Sequence, residues 1–215
     1  MTQFPFLTPT TGLNHGCEVF TTVSSKEKHE FMQKHFPQLQ DRNFGNSRDL
    51  SFEEHILKET NGYGVDIVLN SLAEEKLRAS VRCLAPYGRF LEIGKYDIIS
   101  NNMIDTTALS ENRTLHCICL AHLLAETVED PNGPGLVKWD RTRDMLKQGI
   151  KKGEVVPLNY TLFPKEECEQ AFRKFFFFYL SKRFRNIFFI RLENSNDRFV
   201  CFQVSWRTVS TWAKC

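Results

Sequence analysis

Strand-like and helix-like words alternate at least three times between Cys17 and Ile93, and this alternation constrains the fold more than any other feature of the chain. Cys17-Glu-Val-Phe-Thr-Thr-Val23 is rich in β-branched and aromatic residues, the composition of a strand. Ser24-Ser25 offer helix caps before residues 26–34, and Pro37 stops that helix. Val65-Asp-Ile-Val-Leu69, bounded by Gly64 and Asn70, reads as a strand covered on both faces. Ser51-Phe-Glu-Glu54 and Ser71-Leu-Ala-Glu74 each fit a capping box. Behind the second, Ala73, Leu77, Val81 and Leu84 recur at helical spacing. Residues 89–93 and 114–120 read as further strands, and Trp139, Met145, Leu146 and Ile150 mark a helix. Residues 129–135 form a loop, and a helix starts after Phe163-Pro164. The class is therefore α/β: a doubly wound, Rossmann-like parallel sheet with helices on both faces. It is expected to be incomplete, because no strand-loop-helix unit precedes Cys17.

Composition breaks near Arg173. Residues 171–215 carry nine basic and two acidic side chains and ten of the 19 phenylalanines. The expected organisation is an atypical segment over 1–14, a partial nucleotide-binding domain over 15–173, and a Phe-rich basic tail over 174–215. The tail fits neither periodic template. It is read as an irregular, aggregation-prone extension rather than a membrane-surface segment. The net charge of +2 argues neither for nor against nucleic acid, and none is expected as a partner. No apolar run reaches membrane-spanning length, and no secretory leader is visible. The seven cysteines include no Cys-x-x-Cys pair; buried, reduced thiols and a cytoplasmic location are expected, with no metal site.

In doubly wound sheets, ligands bind at the carboxyl ends of the strands. The candidates there are Ser24 and Ser25 with Lys26 and Lys28, then Ser47 and Arg48, Asn70 and Ser71, and Gly94 and Lys95. Hydroxyls and ammonium groups at a helix start suit a ribose 2′-phosphate, although capping and surface charge use the same residue types. His116 on an apolar strand reads as a satisfied core histidine. The dinucleotide fingerprint G-x-G-x-x-G is absent.

Five words carry a resemblance: Glu18-Val-Phe-Thr-Thr-Val-Ser-Ser25, Asn46-Ser-Arg-Asp49, Val65-Asp-Ile-Val-Leu-Asn-Ser-Leu-Ala-Glu-Glu-Lys-Leu77, Ala79-Ser-Val-Arg-Cys-Leu84 and Gly88-Arg-Phe-Leu-Glu-Ile-Gly-Lys95. Over about residues 15–173 the chain closely resembles the enoyl reductase domain of animal-type fatty acid synthase, within the medium-chain dehydrogenase/reductase superfamily. The resemblance implies NADPH as cofactor and, as substrate, a 2-enoyl chain carried by acyl carrier protein. It implies a proton-donor role for Lys95, in Gly94-Lys95-Tyr96-Asp97, and a place near the 2′-phosphate for Lys28, with Ser25 beside it. Ala121 stands where the family's catalytic carboxylate is expected, and the glycine-rich loop and substrate-binding domain lack counterparts. The expectation is a reductase fragment impaired on its own. The alternative is a non-catalytic dimerisation remnant pairing through the strand near 114–120, as a homodimer.

Overall fold

The computed structural model describes residues 4–130, 133–155, 160–164, 185–193, 198–206 and 211–214, with positions 167, 169, 170 and 173. The chain divides into two units. One takes in Leu7–Val155 and Thr208–Cys215, the other Met1–Phe6 and Val156–Arg207.

From the N-terminus to Val155 the elements run α1 (Phe4–Asn14), β1 (Glu18–Val23), α2 (Lys26–His35), β2 (Phe44–Asn46), α3 (Ser51–Glu59), β3 (Val65–Asn70), α4 (Glu75–Arg82), β4 (Leu84–Glu92), α5 (Tyr96–Ile99), β5 (Thr114–Cys117), α6 (Leu120–Glu129) and α7 (Pro134–Lys151), all but the first residues of α1 in the first unit. The expected β-α alternation is present. β1 pairs with β2, β3 with β4, and β4 with β5, all in parallel.

Side-chain alternation along β1 separates two packing faces. Phe20 joins Phe52 and Ile56 of α3, Val68 of β3, Leu77 and Val81 of α4, and Phe90 of β4 in one buried cluster. Val19, one residue earlier, lies outside that cluster, as do Met32, Phe36 and Leu39 of α2 and its following turn, all of them buried. Adjacent strand residues point to opposite faces, so helices are recruited to both sides. α3 and α4 share a face, and Arg82 grips Glu53 through two hydrogen bonds of 2.6 and 2.7 Å. Gly45 permits the close approach of α3 to β2: a Cβ there would lie 2.8 Å from the Cβ of Phe52.

The centre of the sheet departs from the expectation. Its order is β2-β1-β9-β3-β4-β5, where β9 (Thr211–Lys214) comes from the end of the chain. A complete doubly wound sheet places its first strand between the second and fourth. Here β9 holds that position and runs antiparallel, with Thr21 opposite Thr211 and Ile67 opposite Ala213.

The tail also differs from the irregular extension expected. In the second unit, β6 (Tyr160–Pro164), β7 (Arg185–Glu193) and β8 (Arg198–Trp206) form an antiparallel sheet in the order β6-β8-β7. Runs such as Ile187-Phe-Phe-Ile190 and Phe199-Val-Cys-Phe202 have the β-branched and aromatic character that strands favour; the phenylalanine excess obscured it. Residues 174–184 and most of the helix read over 165–172 lie outside the described residues.

Candidate functional site at the carboxyl edge of the sheet

The sequence-derived site residues all follow the carboxyl ends of parallel strands, in two groups on either side of β9. The first group gathers where β1 and β2 end. The Ser47 N–H donates to the Val23 carbonyl at 3.0 Å, joining the two strand ends. α2 opens with Ser25 as an extended N-cap residue, yet its hydroxyl makes no cap hydrogen bond. That hydroxyl instead bonds the Glu27 carboxylate and is the main cause holding Glu27 below the usual carboxylate range. The Glu27 N–H adds to this, and the Arg48 and Lys26 charges contribute less. Arg48 is thus placed close to the start of α2, with Ser24, Ser25 and Lys28 half-buried beside it in sequence. Ser47 is 4% exposed, and its Oγ has no hydrogen-bond partner.

A short network shapes this loop. Asn46 donates to Asp49 at 2.6 Å and accepts from the Arg48 N–H at 3.0 Å. Asp49 accepts from the Ser51 N–H at 3.0 Å and from the Ser51 hydroxyl. Those two Ser51 bonds are the largest causes of Asp49's lowered pKa. The capping-box reading of Ser51 is therefore corrected: Ser51 lies inside α3, and Asp49 serves its first turn.

The second group sits where β3 and β4 end, with Asn70 opposite Glu92 in register. Asn70 is fully buried and Glu92 is 2% exposed. The Asn70 amide donates to Glu92 Oε2 at 2.5 Å and to the Leu72 carbonyl at 2.8 Å; its Oδ1 accepts from the Leu72 N–H at 3.2 Å. The Gly94 N–H donates to Glu92 Oε1. Burial pushes the Glu92 carboxyl up to about 7. Hydrogen bonds from Asn70 and Gly94 oppose that shift, and the negative charge of Asp97 adds to it. Ser71 is half-buried; Lys95 is exposed and caps the single turn of α5.

Sequence reasoning missed Glu92 and Asp97. Asp97 is buried and accepts the Glu74 N–H with both oxygens at 3.1 Å, and the Asn102 amide at 3.0 Å. The second capping-box reading is corrected accordingly. α4 begins at Glu75, and the acceptor near its start is the Asp97 carboxylate, which takes the Glu74 N–H, in place of the Ser71 hydroxyl that the capping box expected. One available signal was an acid within the apolar word Phe90-Leu-Glu-Ile93, where a two-sided strand leaves no solvent-facing position.

Other expectations fail on the edge strand. Among the described residues β5 pairs with β4 alone, and His116, Cys117 and Cys119 are exposed. His116 is not a core histidine, and these two thiols are not buried. Cys83 is a buried free thiol whose pKa burial pushes up, and Cys17 is disulfide-bonded. Ala121 falls in α6 rather than on a strand.

Residues 13–125 match the model of the family described as zinc-binding dehydrogenase. The chain belongs to that family. The nucleotide-binding subdomain of the enoylreductase domain of PpsC from Mycobacterium tuberculosis is 31% identical. That similarity covers 64% of this chain and 70% of that one, at a TM-score of 0.52. The CurK enoyl reductase is 32% identical over 72% of this chain and 42% of its own, at a TM-score of 0.53. Among curated proteins, the highly reducing polyketide synthase phiA from Fungal sp. (strain ATCC 74256) is 38% identical over 159 residues, which is 74% of this chain and 6% of that synthase. A highly reducing polyketide synthase of Didymella fabae is 50% identical over 99 residues, 46% of this chain and 5% of its own. This zinc-binding dehydrogenase chain is thus homologous to enoyl reductase domains of polyketide synthases, but spans only 5–8% of the length of the curated relatives it matches. The family description names zinc, yet no group of three or more His, Cys, Asp or Glu side chains among the described residues is placed to hold a metal ion. No helix among them is long and apolar enough to cross a membrane.

Proposed function

We propose that this chain is the nucleotide-binding part of an NADPH-dependent enoyl reductase. By this reading it serves the reduction of 2-enoyl chains on an acyl carrier protein, in fatty acid or polyketide assembly, and is impaired on its own. One observation carries the reading: hydroxyl, amide and cationic residues collect at one edge of a doubly wound sheet. Ser24, Ser25, Lys28, Ser47 and Arg48 lie on one side of the central strand, and Asn70, Ser71, Gly94 and Lys95 on the other.

NADPH would supply the hydride. The orphaned Ser47 Oγ and the start of α2 fit a ribose 2′-phosphate, with the Arg48 charge beside them. Glu27 would have to yield Ser25 to that phosphate. The pyrophosphate position fits less well. The central strand enters that edge at Thr211 running antiparallel, so it does not end there in a glycine-rich turn opening a helix. At the second group, Ser71 would contact the nicotinamide half, and the exposed Lys95 ammonium would deliver a proton to the reduced chain.

Titrating the full chain with NADPH and NADH, following nicotinamide fluorescence, tests this. Weak binding that favours NADPH, with little or no turnover of a crotonyl thioester, is expected. Equal affinity for the two nucleotides would defeat the assignment of the first group. Tight NADPH binding with rapid turnover would defeat the impairment. A dimerisation role is the second reading, favoured by the outer edge of β5, which pairs with no strand among the described residues, and by the exposed Ile118, Leu120 and Leu124 beside it.

A further inference from the structure

Glu92 and Asp97 are the two buried carboxylates among the described residues. A buried carboxylate is expensive unless its oxygens are bonded, and a strand covered on both faces needs none for its packing. The partners of Glu92 show what its carboxylate joins. Oε2 takes the Asn70 amide, whose other bonds fold the chain back through Leu72. Oε1 takes the N–H of Gly94, the residue before Lys95. One carboxylate therefore holds both the loop that carries Ser71 and the loop that carries Lys95. Asp97 makes a second tie in the reverse direction, from the β4 side back to Glu74 at the start of α4. The fit leaves no slack, since a Cβ on Gly94 would lie 2.5 Å from Glu92 Oε1.

We propose that Glu92 is the positioning residue of this edge: its carboxylate sets how the Ser71 and Lys95 loops stand relative to each other, and so how they jointly meet a nucleotide. The inference rests on the nucleotide-binding reading for its consequence, though not for its geometry. An ionised Glu92 accepts strongly from Asn70 and Gly94 together, whereas a protonated carboxyl carries its proton on one oxygen, which is then the weaker acceptor, and the bond to that oxygen loosens. Asp97, on α5, is the charged group acting on it; Asn70 from β3 and Gly94 from the loop are its neutral partners.

Amide hydrogen exchange on the full 215-residue chain tests the geometry, with NADPH fluorescence titration as a second arm. In the unmodified protein, protection of the Gly94 N–H, taken relative to that of Phe20 in β1, which follows global stability, should fall about fivefold or more from about pH 8 to about pH 5.5. In Glu92→Gln that step should vanish, and with it any step near neutral pH in NADPH affinity. Flat Gly94 protection in the unmodified protein would overturn the proposal. So would a folded Glu92→Gln variant that kept the same step. Because the unmodified chain alone suffices for the first arm, a variant that fails to fold leaves the test intact. Complete failure to bind NADPH, with the Gly94 step present, would refute the proposed function and uphold the positioning role.

Discussion

The side-chain amide of Asn70 lies 2.5 Å from the carboxylate of Glu92, joining two buried groups at the carboxyl ends of adjacent parallel strands. Asn70 lowers the carboxyl pKa and burial raises it, and burial prevails. Between about pH 4.5 and about 7 the folded chain therefore holds a proton that the unfolded chain has released. The stability tied to this proton is fully present below the ordinary carboxyl pKa and is lost as pH rises through about 7. Its size is on the order of 3 kcal/mol. Urea denaturation across this range should show that fall in the unmodified chain and a much flatter profile in Glu92→Gln.

Removing Asn70 sharpens the same imbalance. Asn70→Ala leaves Glu92 with the Gly94 N–H as its one remaining hydrogen bond of the two that lower its pKa. The loss should be about 1–3 kcal/mol. It should be larger at about pH 8, where the carboxylate is ionised, than at about pH 5.5. Thermal unfolding at the two pH values provides the comparison; an equal loss at both would show that Asn70 acts only on the Leu72 turn.

Asp97 has two separable effects. Its bonds to the Glu74 N–H and Asn102 fix the start of α4, so Asp97→Ala should cost about 1 kcal/mol, as for other lost helix-start acceptors. Its charge raises the Glu92 pKa, so the same substitution should move the pH-dependent step to lower pH. Stability curves measured at several pH values separate the vertical loss from the lateral shift.

Much of this architecture was legible because the first half of the chain is locally consistent. Val65–Asn70 forms a strand where a short apolar run is bounded by Gly64 and Asn70, and α4 follows the stripe of Leu77 and Val81; the strand read over 89–93 is part of β4, which starts earlier, at Leu84, a residue the helical stripe had claimed, and runs through Pro86 and Gly88. Placement of Ser24, Ser25, Ser47, Arg48, Asn70, Ser71, Gly94 and Lys95 at one edge follows from topology alone. The side-chain partnerships were hidden because they depend on register. Asn70 meets Glu92 across 22 positions, and Asp97 meets Glu74 across 23. Local capping grammar assigned those helix starts to serines, whereas the fold supplies carboxylates from Asp49 and from Asp97 of α5. β9 was illegible for a different reason. A four-residue strand carries almost no periodic signal, and its place comes from the gap between β1 and β3.

Ser47 separates stability from binding. Its buried Oγ lacks a hydrogen-bond partner, so Ser47→Ala should leave the melting temperature unchanged or raise it, by at most about 1–3 kcal/mol in stability. If that oxygen awaits a ribose phosphate, the same variant should lose part of its preference for NADPH over NADH while its NADH affinity holds. Paired nucleotide titrations decide the point. An unaltered preference would remove Ser47 from the site.

β9 sits between β1 and β3, whose inner edges pair with no other strand among the described residues. It supplies main-chain pairing to Glu18–Thr21 on one side and Ile67–Leu69 on the other. Lys214 also places its ammonium 5.6 Å from the centre of the Tyr63 ring, within cation–π range. Deleting residues 208–215 would open two unpaired edges in the middle of the sheet. Exposed edges of this kind recruit other chains, and the buried cluster spans the gap from Phe20 to Val68. The truncated chain should therefore unfold at lower urea concentrations than the intact chain and elute as aggregates in size-exclusion chromatography. A truncated chain that stayed monodisperse with its original midpoint would show that β1 and β3 hold together without the strand between them.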